Sequence, residues 1–512
     1  MPRRTSITAT SVGPAALVIV AAPMLLCGCM LGPAYVPPAP PLAEQWKGAD
    51  GEAVTRETGD YRDWWTVFRD PALNSLIVQG YDNNTDLASA GARVLEARAR
   101  RALATADLFP QDHAARGDLT FTDPSAQSST AQPDGIRGTR RDFSIGYEAL
   151  WELDLWGKYR RAIEAADAEL AASIASYDDV LVSLLGEVAA EYVRYRTLQT
   201  RLMVARRNLD IQQQSFEIAD VRFRGGAVTE LDAAQAASLL ESTRALIPSL
   251  EAQLVISEDA LCVLLGLPPT SLPELHTGPA EIPSVPDAVP VGVPAELLRR
   301  RPDVREAERR LAAQSERIGI ALTEYMPSLS LRGEIGLSAD NLGDLFKGSA
   351  LDAFGGPQFR WRILDFARIV NEVRIQDARF QALISDYEGQ VLRAQREVEN
   401  AIANYLGARA QAHALERSIG AAQRAVDLAL IQYREGAADY TRVLDTQQFL
   451  VEAHDRYVQI RGTEAGSLVS LFRALGGGWE IRAGRDFLSD AAKAQMRTRT
   501  RWGSMLENDD EP

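Results

Sequence analysis

The longest regular pattern in the chain lies between Gly157 and Pro269. Apolar side chains recur three or four residues apart at Leu170, Ile174, Tyr177, Leu181, Leu184, Val188, Tyr192, Tyr195, Leu198 and Leu202. That spacing predicts a helix buried along one seam, close to a coiled-coil heptad. No proline interrupts Gly157 to Arg224, so the helix is expected to run about 100 Å at a rise of about 1.5 Å per residue. Arg224-Gly225-Gly226 ends it, because glycine adopts the positive φ that closes a helix. A second helix then returns to Leu265-Gly266-Leu267-Pro268-Pro269.

The pattern recurs 210 positions later without a gap. Trp151 meets Trp361, Tyr177 meets Tyr387, and Glu187-Val188 meets Glu397-Val398. Tyr195 meets Tyr405, Arg224-x-Gly226-Ala227 meets Arg434-x-Gly436-Ala437, and Leu265-Gly266 meets Leu475-Gly476. An echo at a slightly different offset pairs Asp86 with Asp303, Arg93 with Arg310, and Phe109-Pro110 with Met326-Pro327. Breaks and ends align as well as helices do, which two unrelated Ala-rich helices would not give. The chain therefore reads as two structural copies.

Between the helices the period changes to two. Phe143, Ile145, Tyr147, Ala149, Trp151 and Leu153 alternate with Ser144, Gly146, Glu148 and Glu152, with Leu150 the exception. Leu329, Leu331, Gly333, Ile335 and Leu337 alternate with Ser328, Ser330, Arg332, Glu334 and Ser338. Ala115, Gly117, Leu119 and Phe121 alternate with Arg116, Asp118, Thr120 and Thr122. Each run predicts a strand with one apolar and one polar face. A fourth strand near Leu351 to Ile363 is weaker, with Gly355, Gly356 and Pro357 inside it. The polar stretches Asp123–Arg141 and Ala339–Ala350 read as external loops. A half-buried soluble sheet shows the same alternation, but charged residues along the second face of each strand favour a membrane wall. Four strands cannot close a barrel, and an open edge in lipid leaves backbone groups unpaired. Two chains give eight strands with a filled interior; three give twelve, wide enough for a lumen.

The N-terminus strengthens the membrane reading. Arg3 and Arg4 precede an apolar run from Ala15 to Leu26, as in a secretion signal. The run ends Leu26-Cys27-Gly28-Cys29, which resembles a bacterial lipobox. Cys29 fits as the lipidated residue, with Leu26 three before it and Gly28 one before it; Cys27 fits poorly. In the lipoproteins it resembles, an Asp after that cysteine favours inner-membrane retention, so the resemblance with Met30 there implies the outer membrane. Residues 29–62, with Gly32-Pro33-Ala34-Tyr35-Val36-Pro37-Pro38, read as an extended leash. Of three cysteines two lie at the processing site, so Cys262 has no disulfide partner in the mature chain. The net charge is −15, and removing Arg3 and Arg4 takes it to −17. Such acidity argues against nucleic acid as a partner.

Catalytic signatures are absent: no Gly-x-x-x-x-Gly-Lys-Ser/Thr, His-Glu-x-x-His or Gly-x-Ser-x-Gly occurs. His113, His276, His413 and His454 are scattered, without ligand spacing. Neither an enzyme, a metal site nor a cofactor beyond a covalent lipid on Cys29 is expected.

Several motifs follow the lipobox in order: Gly32-Pro33-x-Tyr35, then Trp64-Trp65-x-x-Phe68-x-Asp70-Pro71-x-Leu73, then Asn83-Asn84-x-Asp86-Leu87, and finally Ala474-Leu475-Gly476-Gly477-Gly478-Trp479. Their order resembles outer-membrane efflux lipoproteins of the TolC type, in the NodT-like branch, and the match runs from Cys29 to Trp479. The resemblance implies a mainly α fold with a membrane β part: a long helical tunnel and four strands per chain, closing as a 12-stranded barrel in a homotrimer. It implies a periplasmic adaptor and an inner-membrane resistance-nodulation-division pump as partners. The boundaries expected are a signal peptide 1–28, leash 29–62, first repeat 63–269, linker 270–293, second repeat 294–479, and a charged tail 480–512 that is partly disordered.

The stretch Tyr433-Arg434-Glu435-Gly436-Ala437-Ala438-Asp439-Tyr440-Thr441-Arg442-Val443-Leu444-Asp445-Thr446-Gln447 resembles the family's Arg-Tyr-Arg-x-Gly-x-x-x-Tyr-Leu-x-x-Leu-Asp-x-Gln. There the tip constricts through apolar and carboxylate rings. The resemblance makes Asp445 the gate carboxylate and Tyr433 and Arg434 residues that tie helices together. Gln432 stands where Arg is usual, and Thr441 where Leu is usual, which weakens the apolar ring. The turns at Gly225, Gly226 and Gly436 are expected to meet at this tip. A type I secretion conduit and a non-pore periplasmic scaffold lipoprotein are the competing readings.

Overall fold

The computed structural model describes residues 30–48, 53–57, 59–123, 140–276 and 280–507. The helices of ten residues or more are α1 (Pro71–Asn83), α2 (Thr85–Ala106), α3 (Lys158–Arg224), α4 (Glu230–Leu264), α5 (Pro302–Thr323), α6 (Arg368–Arg434), α7 (Tyr440–Ala474) and α8 (Asp490–Arg499). The repeat is exact in length: α2 and α5 have 22 residues, α3 and α6 have 67, and α4 and α7 have 35. All four hairpin ends close alike. The N–H of Gly226, Gly436, Gly266 and Gly476 reaches back three residues, and the following N–H reaches back five, to Arg222, Gln432, Cys262 and Phe472. Each of these glycines has a positive φ, between 68° and 73°. This is the Schellman arrangement, which satisfies the last carbonyls of a helix. Gly225 lies outside that requirement; its counterpart is Glu435.

The chain divides into two compact units, Met1–Pro38 with Glu96–Ala171 and Arg309–Ser385, and Ala39–Leu95 with Ala172–Glu308 and Asp386–Pro512. They cut across the repeats, because each repeat sends residues into both.

The first unit holds the antiparallel sheet, β1 (Asp112–Thr122), β2 (Arg140–Glu152), β3 (Ser328–Ala339) and β4 (Leu351–Arg360), in that order. β4 stops at Arg360, short of the expected Ile363. Its last partner is Ser328, and Pro327 before it has no N–H to extend the ladder. Pro357 is accommodated because β4 is an edge strand. Of the two loops, residues 124–139 lie outside the described residues. The leash begins strapped down rather than free. The N–H of Leu31 donates to the Trp156 carbonyl at 3.2 Å, and a Cβ on Gly157 would lie 2.8 Å from Met30. Arg161, buried and paired with Glu316, donates to the Gly32 carbonyl at 3.1 Å.

In the second unit the leash lies along α6. Gln395 accepts from the N–H of Ala43 at 2.8 Å and donates to the Pro41 carbonyl at 3.0 Å, and Trp46 is buried. Val54–Thr55 pairs in parallel with Val289–Pro290 from the linker. The seam from Tyr177 to Leu202 is buried as its spacing predicts; Leu170 and Ile174 are half-buried. The sequence motifs are packing and capping sites. Trp64 stacks on Phe472 at 5.3 Å, and a Cβ on Gly478 would meet Leu185 at 2.7 Å. Asp70 caps α1 through the N–H of Ala72 and accepts from the Tyr192 hydroxyl at 2.5 Å. Asn84 caps α2 and donates to the Leu264 carbonyl at 2.9 Å.

The tail expected to be partly disordered is folded as far as Glu507. Arg482 donates to Asp178 at 2.7 Å, Phe487 meets the Tyr177 ring edge-on at 5.0 Å, and Leu488 and Leu506 are buried against Leu95. Ser489 caps α8. Isolated anchors hold this segment, so it shows little hydrophobic period.

Asp178 is fully buried, and its Oδ2 accepts no hydrogen bond. Burial pushes its pKa up to about 6, against the opposing pull of Arg482. The native chain therefore keeps this proton to higher pH than the unfolded chain. The stability it contributes is full below the ordinary carboxylate value and is lost as pH rises through about 6. Between pH 4 and 6.5 the thermal midpoint is expected to carry a downward component with pH that Asp178→Asn removes. An unchanged slope in that variant would refute the assignment.

Candidate functional site

The sheet separates its side chains by chemistry. Paired residues in an antiparallel sheet share a face, so the register sorts them directly. Gly117, Ile145, Leu337 and Leu351 form one row, and Ala115, Tyr147, Ile335 and Ala353 the next. Trp151 and Leu331 continue that face. Ile145, Tyr147 and Ile335 are about half exposed. On the other face, Asp118, Ser144 and Ser338 form a row, followed by Arg116, Gly146, Gly336 and Asp352, then Ala114, Glu148, Glu334 and Phe354. The alternation expected for three strands holds residue for residue. An uncovered apolar face is what lipid requires of a barrel exterior, and the charged face suits a water-filled lumen. Among the described residues, β1 and β4 each leave one edge unpaired. No described helix is long and apolar enough to cross a membrane.

The second feature is the tip, where the two hairpin turns meet. Ala219, Ala236, Ala429, Tyr433, Tyr440 and Val443 form a buried cluster. The Tyr433 and Tyr440 rings meet edge-on at 5.4 Å. Arg222 lies 4.6 Å over the Tyr433 ring and donates to the Tyr433 carbonyl. Burial raises the Tyr433 phenol above its ordinary pKa, with Arg222 opposing. Tyr433 thus joins the two hairpins, whereas the side chain of Arg434 is exposed. The cation in this joint is Arg222, which the sequence reading missed. Its signal was present: Arg222-Phe223-Arg224-x-Gly226 is a first-copy version of the Arg-Tyr-Arg-x-Gly pattern. Further along, Gln447 donates to Ser215 at 2.7 Å, while the buried Gln212 amide finds no partner among the described residues. Thr441 and Asp445 are both exposed and four residues apart, hence on one face of α7. Asp445 makes no ion pair with Arg442 or Arg434; Arg442 turns instead to Gln432. Cys29 lies outside the described residues.

The family description "outer membrane efflux protein" matches residues 76–267 and 293–477. This chain belongs to that family. Nodulation protein T of Rhizobium leguminosarum bv. trifolii is 32% identical over 430 residues, covering 83% of this chain and 90% of that protein. The pyoverdine export outer membrane protein OpmQ of Pseudomonas aeruginosa is 31% identical over 469 residues, covering 91% and 97%. The solved structure of the outer-membrane channel OprN matches with a TM-score of 0.82 at 32% identity, covering 88% of this chain and 100% of that one. The resemblance to TolC-type proteins of the NodT-like branch is therefore borne out, as is the mainly helical fold with its four strands. This outer membrane efflux protein acts as a channel in the outer membrane.

Proposed function

We propose that this outer membrane efflux protein is the passive exit duct of a tripartite pump. Three copies join β4 of one to β1 of the next, closing twelve strands around a lumen. A periplasmic adaptor and an inner-membrane resistance-nodulation-division pump supply the small toxic molecules and the energy. The observation that carries the reading is the two-faced sheet with two unpaired edges, since lipid tolerates β structure only when every edge is paired. Purified protein added to a planar bilayer is expected to form steady ion-conducting channels without any energy source. A correctly inserted protein that passes no current would overturn the proposal.

Within this reading Asp445 lines the periplasmic constriction. Three such carboxylates near one axis repel each other and attract cations. Asp445→Ala is expected to raise single-channel conductance and reduce cation preference. Equal conductance and selectivity in an assembled trimer would remove Asp445 from the gate.

Cys29 carries the lipid in the proposal, supported by the Leu26-Cys27-Gly28-Cys29 motif. Labelled palmitate is expected in the wild type and lost in Cys29→Ser. Label kept in Cys29→Ser and lost in Cys27→Ser would move the anchor two residues.

A further inference from the structure

One aromatic side chain stands on the charged face of the sheet. Phe354 on β4 pairs with Glu334, whose next partner is Glu148. In the single chain it is 62% exposed, although its neighbours along the same face are Asp352 and Gly356. Folding gains little from a phenyl ring left in water, so packing within the chain does not explain it. Beside the ring is a hollow of about 300 Å³ with Arg116, Ser144, Glu334, Asp352 and Phe354 among its walls. Gly146 and Gly336 form its floor. A Cβ on Gly336 would lie 2.8 Å from the Ile145 carbonyl, so the close strand approach keeps the floor bare. Arg116 is neutralised by Glu148. Glu334 and Asp352 make no ion pair among the described residues; Arg332 and Asp118 also line the hollow, and its carboxylates outnumber its guanidinium groups.

We infer that this hollow is a transit site for organic cations with an apolar or aromatic body. The inference rests on the polar face lining the lumen. An exposed ring face attracts a cation, two unpaired carboxylates add charge, and the volume is at the lower end of ligand pockets. Twelve strands about 4.8 Å apart and tilted about 40° enclose a backbone tube about 24 Å across. Three Phe354 rings at one level project into that tube from three sides, each beside its hollow. Binding there is weak and repeated, so a passing cation is held briefly and released, as conduction requires. The site favours lipophilic cations over anions of equal size.

Tetraphenylphosphonium block of current through single channels in a planar bilayer tests the site. The wild type is expected to be blocked, with Phe354→Ala raising the half-blocking concentration about five- to tenfold and Phe354→Trp preserving the block. Glu334→Gln is expected to weaken it as well. Polyethylene glycol of similar size separates attraction from simple narrowing, because its partitioning should change far less in Phe354→Ala. Conducting wild-type channels without block, an unchanged half-blocking concentration in Phe354→Ala, or an equal change with polyethylene glycol would each overturn the site while leaving the channel intact. Failure to conduct at all would overturn the lumen, and the site with it.

Discussion

Ile145→Arg is expected to deplete assembled trimer, while Ser144→Arg leaves most of it. The two positions are adjacent on β2 and differ only in the face they occupy. Ile145 sits between Gly117 and Leu337 in a row of apolar partners near the middle of the sheet. An arginine facing lipid at that depth costs about 2–4 kcal/mol per chain. Since about 1.4 kcal/mol is a factor of ten in an equilibrium, three copies should reduce the trimer band at least tenfold on semi-native gels. Ser144 pairs with Asp118 and Ser338, and Ser338 donates to Asp142. A guanidinium there meets carboxylates and water. Equal depletion in both variants would contradict the assignment of the faces.

Gly266→Ala should destabilise the fold far more than Gly226→Ala. Both glycines occupy the same position of the same helix-ending motif, with φ of +68° and +72°. Alanine in that region costs about 1–2 kcal/mol in either place. The surroundings differ. A Cβ on Gly226 meets nothing within 4 Å, whereas on Gly266 it would lie 2.2 Å from the Asn83 carbonyl oxygen. That oxygen belongs to backbone at the end of α1, which cannot move without disturbing the Asn84 cap on α2. The total for Gly266→Ala is expected to exceed about 3 kcal/mol, the conformational cost plus an overpacking penalty. Thermal unfolding followed by circular dichroism checks this. Matching midpoints for the two variants would mean that Asn83 yields easily.

Much of this architecture is visible in the residue order, because it rests on local rules repeated many times. A seam from Tyr177 to Leu202 at helical spacing needs no knowledge of its neighbours. Alternation along β2 and β3 fixes the faces, since slipping by one residue would invert every side chain. The tail was misread for the opposite reason. Its order comes from single contacts, Arg482 on Asp178 and Phe487 on Tyr177, between residues about 300 positions apart. The tip was read in part. The repeat marked its glycines and Tyr433, but spacing alone could not choose between Arg434 and Arg222 as the cation that joins the hairpins.

The sequence by itself determined the two copies, the helix ends and the two-faced strands, and the resemblance it carries determined the family. Periodicity and glycine placement act over a few residues, and a linear pattern records them completely. Tertiary structure alone decided which of several equivalent residues is constrained. It crowds Gly266 but not Gly226, turns Arg222 rather than Arg434 onto Tyr433, and leaves Phe354 among Glu334, Asp352 and bare glycine. Those differences depend on distances between segments remote in the chain, and composition and spacing do not encode them.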